Sequence, residues 1–506
     1  MGILDFVRRN KTETQEKPKM KRRSYAAARG GRLFSDFIGS SNSADSELRF
    51  DLEVIRNRSR ELVRDNEYAR RYMNLLKTNV IGENGFQLQL KAKNSDGSLD
   101  ASGNTIIENA WKRWGRLGSP TVDGRMSWLD CQKFVVEGLA RDGEVFVKIL
   151  RGNKYRDGFG LQFLEADLID EKKNEVLQNG NQVRMGVEMD KAHRPVAYHV
   201  LTAHPGDRYY YNSQSQKHLR VPADEILHIY MPTRTHQTRG EPFMVAAMSA
   251  LKHMHAFREA EVIAARVSAS KMGILTSPGG EEYVGDDIND TYQPVISASP
   301  GEFVSLPQGY DLRMFDPNHP NTGFAEFESA MLRGVASGLN VSYAALSNDL
   351  SSVNYSSIRQ GALDERDGYR SLQMFIIQHF VERVFREWLA SAMDFGAIPI
   401  PASKFDKFSD NTYFYGRGWN WVDPLREIQA AVVGLNNGVL SLSDISANYG
   451  RDAEETLSKI ARDKELAAQF GLEFSFEPFG GGQSPYGPSK VPIQQVVEVD
   501  DGSNNG

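Results

Sequence analysis

From Ser46 to about Val80, apolar residues return at three- and four-residue intervals. Leu52, Ile55, Leu62, Tyr68, Tyr72 and Leu75 form one stripe, which predicts a long helix. Arg56, Arg58, Arg60, Arg64, Arg70 and Arg71 crowd its other sides and read as a solvated face with local acidic partners. Gly82 and Gly85 end the helix, and "FQLQLKAK" changes to the alternation of a strand. Helices are predicted around "NTIIENAWKRWGRL" and "SWLDCQKFVVEGLARDG", and strands over "EVFVKILRG", "GLQFLEADLID" and both halves of "VRMGVEMDKAHRPVAYHVL". On this pattern residues 46–235 make one mixed α+β unit.

The character changes after "TRGEP". Residues 243–272 run unbroken as a helix, with Pro242 near its first turn and Gly273 at its end. Eight alanines, from Ala246 to Ala269, keep it thin enough for neighbouring helices to approach closely. Residues 274–321 are rich in Gly, Pro and Ser, with short β-like pieces such as "PVISAS" and "EFVSL", and read as an excursion from the main body. A second helix over 324–339 returns from it. Next comes "SNDLSSVNYSSIRQG", residues 347–361, almost entirely hydroxyls, amides and small side chains. Leu372, Ile376, Phe380, Val384 and Trp388 then step by four along another long helix, ended by Gly396 and Pro399. A helix begins at Asp423 and Pro424, and two shorter ones are predicted at about 441–448 and 451–470.

The 506 residues are enough for about three domains, and 40% hydrophobic residues can build more than one core. No apolar run approaches the roughly 18 residues of a membrane span. The start "MGILDFVRRN" lacks a secretory apolar region, and Phe6 stands where a myristoylation signal wants Ser or Thr, so neither secretion nor a membrane partner is expected. A single cysteine, Cys131, can make no internal disulfide. The net charge of -6 gives no reason for tight nonspecific nucleic-acid binding, but its distribution is uneven. Ten lysines and arginines between Arg8 and Arg32 make residues 1–45 a basic arm, while the tail beyond 472 ends in the acidic "VVEVDDGSNNG".

Catalytic signals are weak. No Gly-Lys dipeptide occurs, so there is no phosphate-binding G-x-x-x-x-G-K-[ST] loop, and no G-x-S-x-G elbow. His253 and His255 are two apart on a helix and point in different directions, whereas shared metal ligation needs i, i+4 spacing. His193, His199 and His204 lack a matching pattern of carboxylates or thiols. The best enzyme-like cluster is "EADLIDE", with Glu165, Asp167, Asp170 and Glu171. Such carboxylates can do acid/base work or hold a cation, but they also bind turn amides or pair with the arginines of the first helix, the structural role expected here. No cofactor, metal or catalytic residue is assigned.

The ordered set "RNRSRELVRDNEYARR", "VIGENGFQLQ", "DGEVFV", "LQFLEADLID", "GVEMDKAHRPVAYHV", "HPGD", "VPADEILHIY", "RTHQTRGEPF", "NVSYAALSNDLSSVNYSSIRQG" and "WVDP" resembles the lambda family of phage portal proteins over about residues 48–470. His236 stands where many relatives have Gly, and Phe243 where many have Trp. The resemblance implies a non-enzymatic portal fold of wing, helical stem, clip and helical crown, assembled as a ring of about twelve subunits. On that plan residues 46–240 would be wing, 241–272 the first stem helix, 273–322 the clip and 323–340 the second stem helix. Residues 341–357 would be the tunnel loop, and 358–472 the long helix with the remaining wing and crown. It also implies a protein of the virion, at a capsid vertex, assembled in the host cytoplasm. The implied partners are further copies of the chain, double-stranded DNA read without regard to sequence, the large terminase subunit, the major capsid protein and scaffold, and head-completion or adaptor proteins.

Duplex DNA carries one negative charge per roughly 1.7 Å, and each cation that pairs with a phosphate strengthens holding through counterion release. A neutral collar of Ser347, Asn348, Ser351, Ser352, Asn354, Tyr355 and Ser356 would touch phosphates weakly and exchangeably, with Arg359 and Asp349 the few charges nearby. Arg313 and Arg333 are further candidate cations of the channel. Two alternatives compete: a metal-dependent hydrolase built on the 165–171 carboxylates, and a monomeric nucleic-acid-binding protein using the N-terminal arginines.

Overall fold

The computed structural model describes residues 41–207, 217–269, 273–276, 287–288, 294–295, 311–314, 323–351, 355–419, 424–449 and 451–472. The basic arm lies outside them up to residue 40, as do the tail beyond 472 and the predicted cap Asp423.

The single helix predicted over 46–80 is divided. Helix α1, Ala44–Asp65, stops at Asn66, whose backbone is extended (φ -106°, ψ 127°), and α2, Glu67–Leu76, starts again after it. The Asn66 side chain accepts the N–H groups of both Tyr68 and Ala69 at 3.0 Å. A short amide that binds the backbone beyond itself competes with helix continuation and caps the next helix instead. A π turn over Lys77–Ile81 completes the segment.

Strand β1, Gln87–Leu90, follows, then α3, Ala101–Trp114, and α4, Trp128–Asp142. A reciprocal Ser127–Asp130 capping box starts α4 and Gly143 (φ 88°) ends it. Strands β2, Glu144–Arg151, and β3, Phe159–Leu164, form an antiparallel hairpin. Next come four short strands, β4 (Glu175–Val176), β5 (Gln182–Arg184), β6 (Val187–Met189) and β7 (Pro195–Leu201), then β8 (His218–Pro222) and β9 (Ile226–Tyr230). Strands β4 to β8 make an antiparallel meander, whereas β9 leaves it to pair with β2, giving the order β3-β2-β9.

Helix α5, Val245–Ala269, leads into the excursion, where β10 (Gly273–Thr276) pairs with β13 (Asp311–Met314) and β11 (Asp287–Ile288) with β12 (Pro294–Val295). Helix α6, Phe324–Gly338, returns against α5. Beyond it lie α7 (Tyr343–Ser347), α8 (Tyr355–Ile376), a π turn over Ile377–Val381, α9 (Glu382–Asp394) and α10 (Phe405–Ser409). The π turn has a packing reason. Residues spaced by four advance about 40° around an α-helix at each step, so the apolar row would drift off the core. The wider turn swings the row back, and Ile376, Phe380, Val384 and Trp388 are all fully buried.

Strand β14, Thr412–Tyr415, pairs antiparallel with β1 across more than three hundred residues of chain, between two predicted helices where no strand was expected. Helices α11 (Pro424–Asn436), α12 (Leu442–Asn448) and α13 (Ala453–Gln469) complete the described chain.

One large core joins α2, α3, α4, the bases of α5 and α6, and the α8–α9 rod. Its centre is aromatic: Trp111 stacks on Trp114 at 4.8 Å and meets Trp128, Phe385 and Trp388 edge-on at 5.0–5.4 Å. The indole N–H of Trp114 donates to the Phe159 carbonyl and that of Trp388 to Asp157, whereas the buried indole N–H of Trp128 has no hydrogen-bond partner among the described residues. Met244, Ala247, Met248, Leu251 and Met254 fasten the first turns of α5 to this core. After Met254, no residue of α5 whose side chain is described is buried, and Val262 and Ile263 are half exposed.

Gly143 is the tightest backbone crossing below α5. A Cβ there would sit 2.3 Å from the Glu241 carbonyl carbon, and one on Gly240 would sit 2.1 Å from the Gly143 oxygen. Gly143→Ala is expected to destabilise the subunit by at least about 2 kcal/mol through a left-handed backbone plus this clash. Gly97→Ala, also left-handed but with nothing within 4 Å, should cost about 1 kcal/mol, and the difference between their denaturation midpoints isolates the crossing.

Candidate functional site

The 165–171 carboxylates do not converge on one point. Glu165 lies 3.2 Å from His204, and Asp170 accepts His218 Nε2 at 2.7 Å together with the Lys172 amide. Asp167 accepts Arg60 at 2.6 Å and sits 3.6 Å from Arg56, while Glu171 is 3.7 Å from Arg56. Burial would raise the Asp167 carboxyl, but the two arginines hold it below the usual range; for Glu171 burial wins and raises it. Among the described residues no group of three or more His, Cys, Asp or Glu could hold a metal ion. Asp167 and Glu171 meet at Arg56 while Glu165 and Asp170 face histidines, and the expected pairing with the first helix is present. One expectation fails: Arg56 is no part of a solvated face but fully buried.

Sequence reasoning missed what Arg56 reaches. The fully buried Glu144, first residue of β2, receives Arg239 at 2.6 and 2.9 Å, Arg56 at 3.0 Å, His228 at 3.0 Å and the Gly240 amide at 3.1 Å. Arg239, also fully buried, donates further to the carbonyls of Met185, Ala166 and Ile169. Burial pushes the Glu144 carboxyl up, but Arg239, His228 and Arg56 overcome it and hold it far below its ordinary value. Burial likewise keeps the His228 imidazole, stacked between Phe146 and Tyr230, below its ordinary value despite Glu144. The only signal in the sequence was an Arg-Gly-Glu just before α5 and an Asp-Gly-Glu just before β2, and nothing local links them.

The polar segment after α6 is more structured than its composition implies. Val341 and Leu346 are buried, pinning it to the core. The Ser342 amide donates to Glu365 of α8, and the Ser342 hydroxyl caps α7 by accepting the Ala345 amide at 3.2 Å. The Ser347 hydroxyl donates back to the Tyr343 carbonyl at 2.7 Å and accepts the Asp349 amide at 3.1 Å. Asn348 is exposed and left-handed (φ 58°), its amide closing α7 on the Ala344 carbonyl. Asp349 receives the hydroxyl and amide of Ser351 at 2.7 and 2.9 Å and the Tyr343 hydroxyl at 3.1 Å. These donors hold its carboxyl below the usual range. Arg333 of α6 lies over the Tyr343 ring, 5.3 Å from its centroid.

A protein-family model described as phage portal protein, lambda family, matches residues 30–373 of this chain. This chain belongs to that family of portal proteins. It is 36% identical to the probable portal protein of Halomonas phage phiHAP-1 over 96% of this chain and 93% of the relative. Portal protein B of Escherichia phage lambda is 22% identical, over 89% and 92% of the respective chains. A solved chain from the neck of a native gene transfer agent particle covers 78% of this one and 93% of its own length, at 14% identity and a TM-score of 0.41, a likeness too slight to add to the sequence match. With the family comes its general role in phage DNA packaging. Among the described residues no helix is long and apolar enough to cross a membrane.

Of the portal residues singled out in the sequence, Arg333, Ser347, Asn348 and Ser351 gather in or against the α6–α8 connection. Tyr355, Ser356 and Arg359 stand on the first turns of α8, where the backbone alone is described, and Ser352 and Asn354 lie outside the described residues. Arg313 is on a different element, β13, opposite Ile274. Part of the stretch expected to be loop is thus helix, α7, because the Ser342 cap and the Leu346 anchor stabilise one short turn.

Two expectations follow from the buried groups. A carboxyl whose folded value is depressed stabilises above its unfolded value and loses that stability as pH falls towards the folded one; a buried histidine with a lowered value likewise disfavours acid. Denaturant stability of the subunit should therefore fall as pH drops below about 6.5, part of that slope disappearing in His228→Gln, and fall again below about 4.5. At pH 7, Glu144→Gln should cost about 3–5 kcal/mol by leaving Arg239 and Arg56 buried without their anion. In the loop, Asp349→Ala should speed amide hydrogen exchange at Ser351, while the global melting temperature stays near that of the parent.

Proposed function

We propose that copies of this chain close into a ring of about twelve around an axial channel at one capsid vertex, and that double-stranded DNA passes through it in both packaging and ejection. In this reading α5 and α6 are the stem, residues 273–322 the clip, and the segment from Val341 to about Ser357 the collar nearest the DNA. The carrying observation is that the described residues 346–351 include one charged side chain, Asp349, which is bound by Ser351 and Tyr343, while the described cations beside the segment sit at its start, Arg333 over the Tyr343 ring and Arg71 on the Ala345 carbonyl. A ring multiplies every contact by its subunit number, so one free cation per subunit would become a belt of phosphate anchors. Exposed Asn348 and Ser351 instead offer neutral contacts that exchange with water. Ser352, Asn354, Tyr355, Ser356 and Arg359 belong to the same proposed collar, with Arg313 placed in the clip.

The sequence has no phosphate-binding loop, so the work of translocation falls to a partner ATPase, the large terminase subunit, docking on the clip. Head-completion or adaptor proteins would take the same surface after packaging, and the major capsid protein and scaffold would surround the ring during assembly in the host cytoplasm. The half-exposed Val262 and Ile263 on α5 suit burial against a neighbouring subunit.

Negative-stain images and native mass spectra of the purified protein should show closed rings with an axial hole; a chain that stays monomeric at micromolar concentration would overturn the proposal. Asn348→Lys with Ser351→Lys should leave rings intact but slow DNA translocation and make DNA retention strongly salt-dependent, by about 0.9 per added phosphate contact in the log–log slope. Translocation indifferent to those cations would remove the collar from the DNA path.

A further inference from the structure

The loop between α3 and α4 and the hairpin turn between β2 and β3 line a groove of about 660 Å³. Its shape is fixed by close backbone packing. Gly158, with φ 72°, has no room for a Cβ, which would lie 2.2 Å from the Phe395 ring, and a Cβ on Gly160 would press to 3.1 Å against both Tyr155 and Val122.

The groove is cationic and partly apolar. Lys154 and Arg156 line it, and Arg116 and Arg125 lie within two residues of the lining Gly118 and Gly124. All four are exposed, and none has an ion pair among the described residues. Nearby acids are turned to other uses. Asp123 accepts the Thr121 hydroxyl at 2.6 Å and the Arg125 amide at 3.2 Å, Asp157 accepts the Trp388 indole, and Glu387 is paired with Arg151. Leu150, Val122 and Tyr155 supply apolar lining, and Leu117 beside it is 70% exposed.

This chain carries a segment of matching chemistry, "IQQVVEVDD", residues 493–501, outside the described residues. It interleaves four apolar residues, Ile493, Val496, Val497 and Val499, with three carboxylates, Glu498, Asp500 and Asp501. We infer that the groove between residues 116–125 and 151–158 is a docking site for this acidic C-terminal segment, from the same subunit or a neighbouring copy. Valines would cover Leu150, Val122 and Tyr155, and the three carboxylates would meet Lys154, Arg156 and Arg116. The contact is largely electrostatic at an open surface, so it is salt-labile and can be released.

Zero-length carbodiimide crosslinking of the full chain, read by mass spectrometry, tests this directly. Lys154 should become amide-linked to Glu498, Asp500 or Asp501, with the yield falling at least about fivefold in Arg156→Glu or when salt is raised from about 50 to about 500 mM. In parallel, a fluorescent 493–506 peptide should bind the protein and lose at least about tenfold in affinity when Glu498, Asp500 and Asp501 are changed to Gln, Asn and Asn. The peptide arm stands even if Arg156→Glu disturbs folding, which its denaturation midpoint would reveal. Lys154 linked only elsewhere, or peptide binding indifferent to the three acids, overturns the inference. So does a groove that binds duplex DNA and not the peptide.

Discussion

A carboxylate without water is stable only if the protein replaces the hydrogen bonds that water made, and Glu144 meets that condition with groups from three separate stretches of chain. Arg56 comes from the first helix, His228 from the third strand of its sheet, Arg239 and Gly240 from the approach to α5. Each guanidinium is in turn buried, so none can leave without exposing an unpaired charge to an apolar interior. Arg239 extends the lock to three carbonyls beneath the meander. The result is a junction just before α5 begins at Val245, and Gly143 against Gly240 admits no slack there. A helix that projects into an assembly needs a fixed direction, and this junction supplies one.

The polar loop shows the opposite use of charge. Its one described carboxylate is bound by partners within a few residues, and two arginines rest against the loop, Arg333 on the Tyr343 face and Arg71 on the Ala345 carbonyl. Local hydrogen bonding of this kind at an exposed site costs little and adds little to stability. Burial and pairing give the Glu144 network its strength; the loop's charges stay hydrated and close to their own backbone.

Much of this was legible along the chain, and the reasons differ by element. Helices with a clean apolar row and end signals, such as α4 between Ser127 and Gly143, lie close to where the pattern placed them. Asn66 was misread because a single capping side chain outweighs a periodicity that continues on both sides of it. Strand β14 was missed because four residues among helices carry too short a signal, and its partner β1 is remote in sequence. The same remoteness hid Glu144: a buried charge looks like any other acid until its partners are folded around it. In the loop, composition revealed polarity but not that Ser342 and Leu346 organise part of it into α7. His236 adopts φ 63°, a backbone region that favours glycine, which gives a physical reason for the glycine the resemblance expects there.

Helices α5 and α6 leave and re-enter the body side by side: Gly338, at the end of α6, lies 3.7 Å by its would-be Cβ from Ala247 in the first turn of α5. Whatever stretches between their outer ends is therefore closed at its base by contacts that belong to the main core. Insertions, deletions or wholesale exchange of the intervening residues would alter neither the anchoring nor the geometry of that base. Such a layout lets the two helices hold each other in place where they meet the scaffold, whatever residues join their other ends.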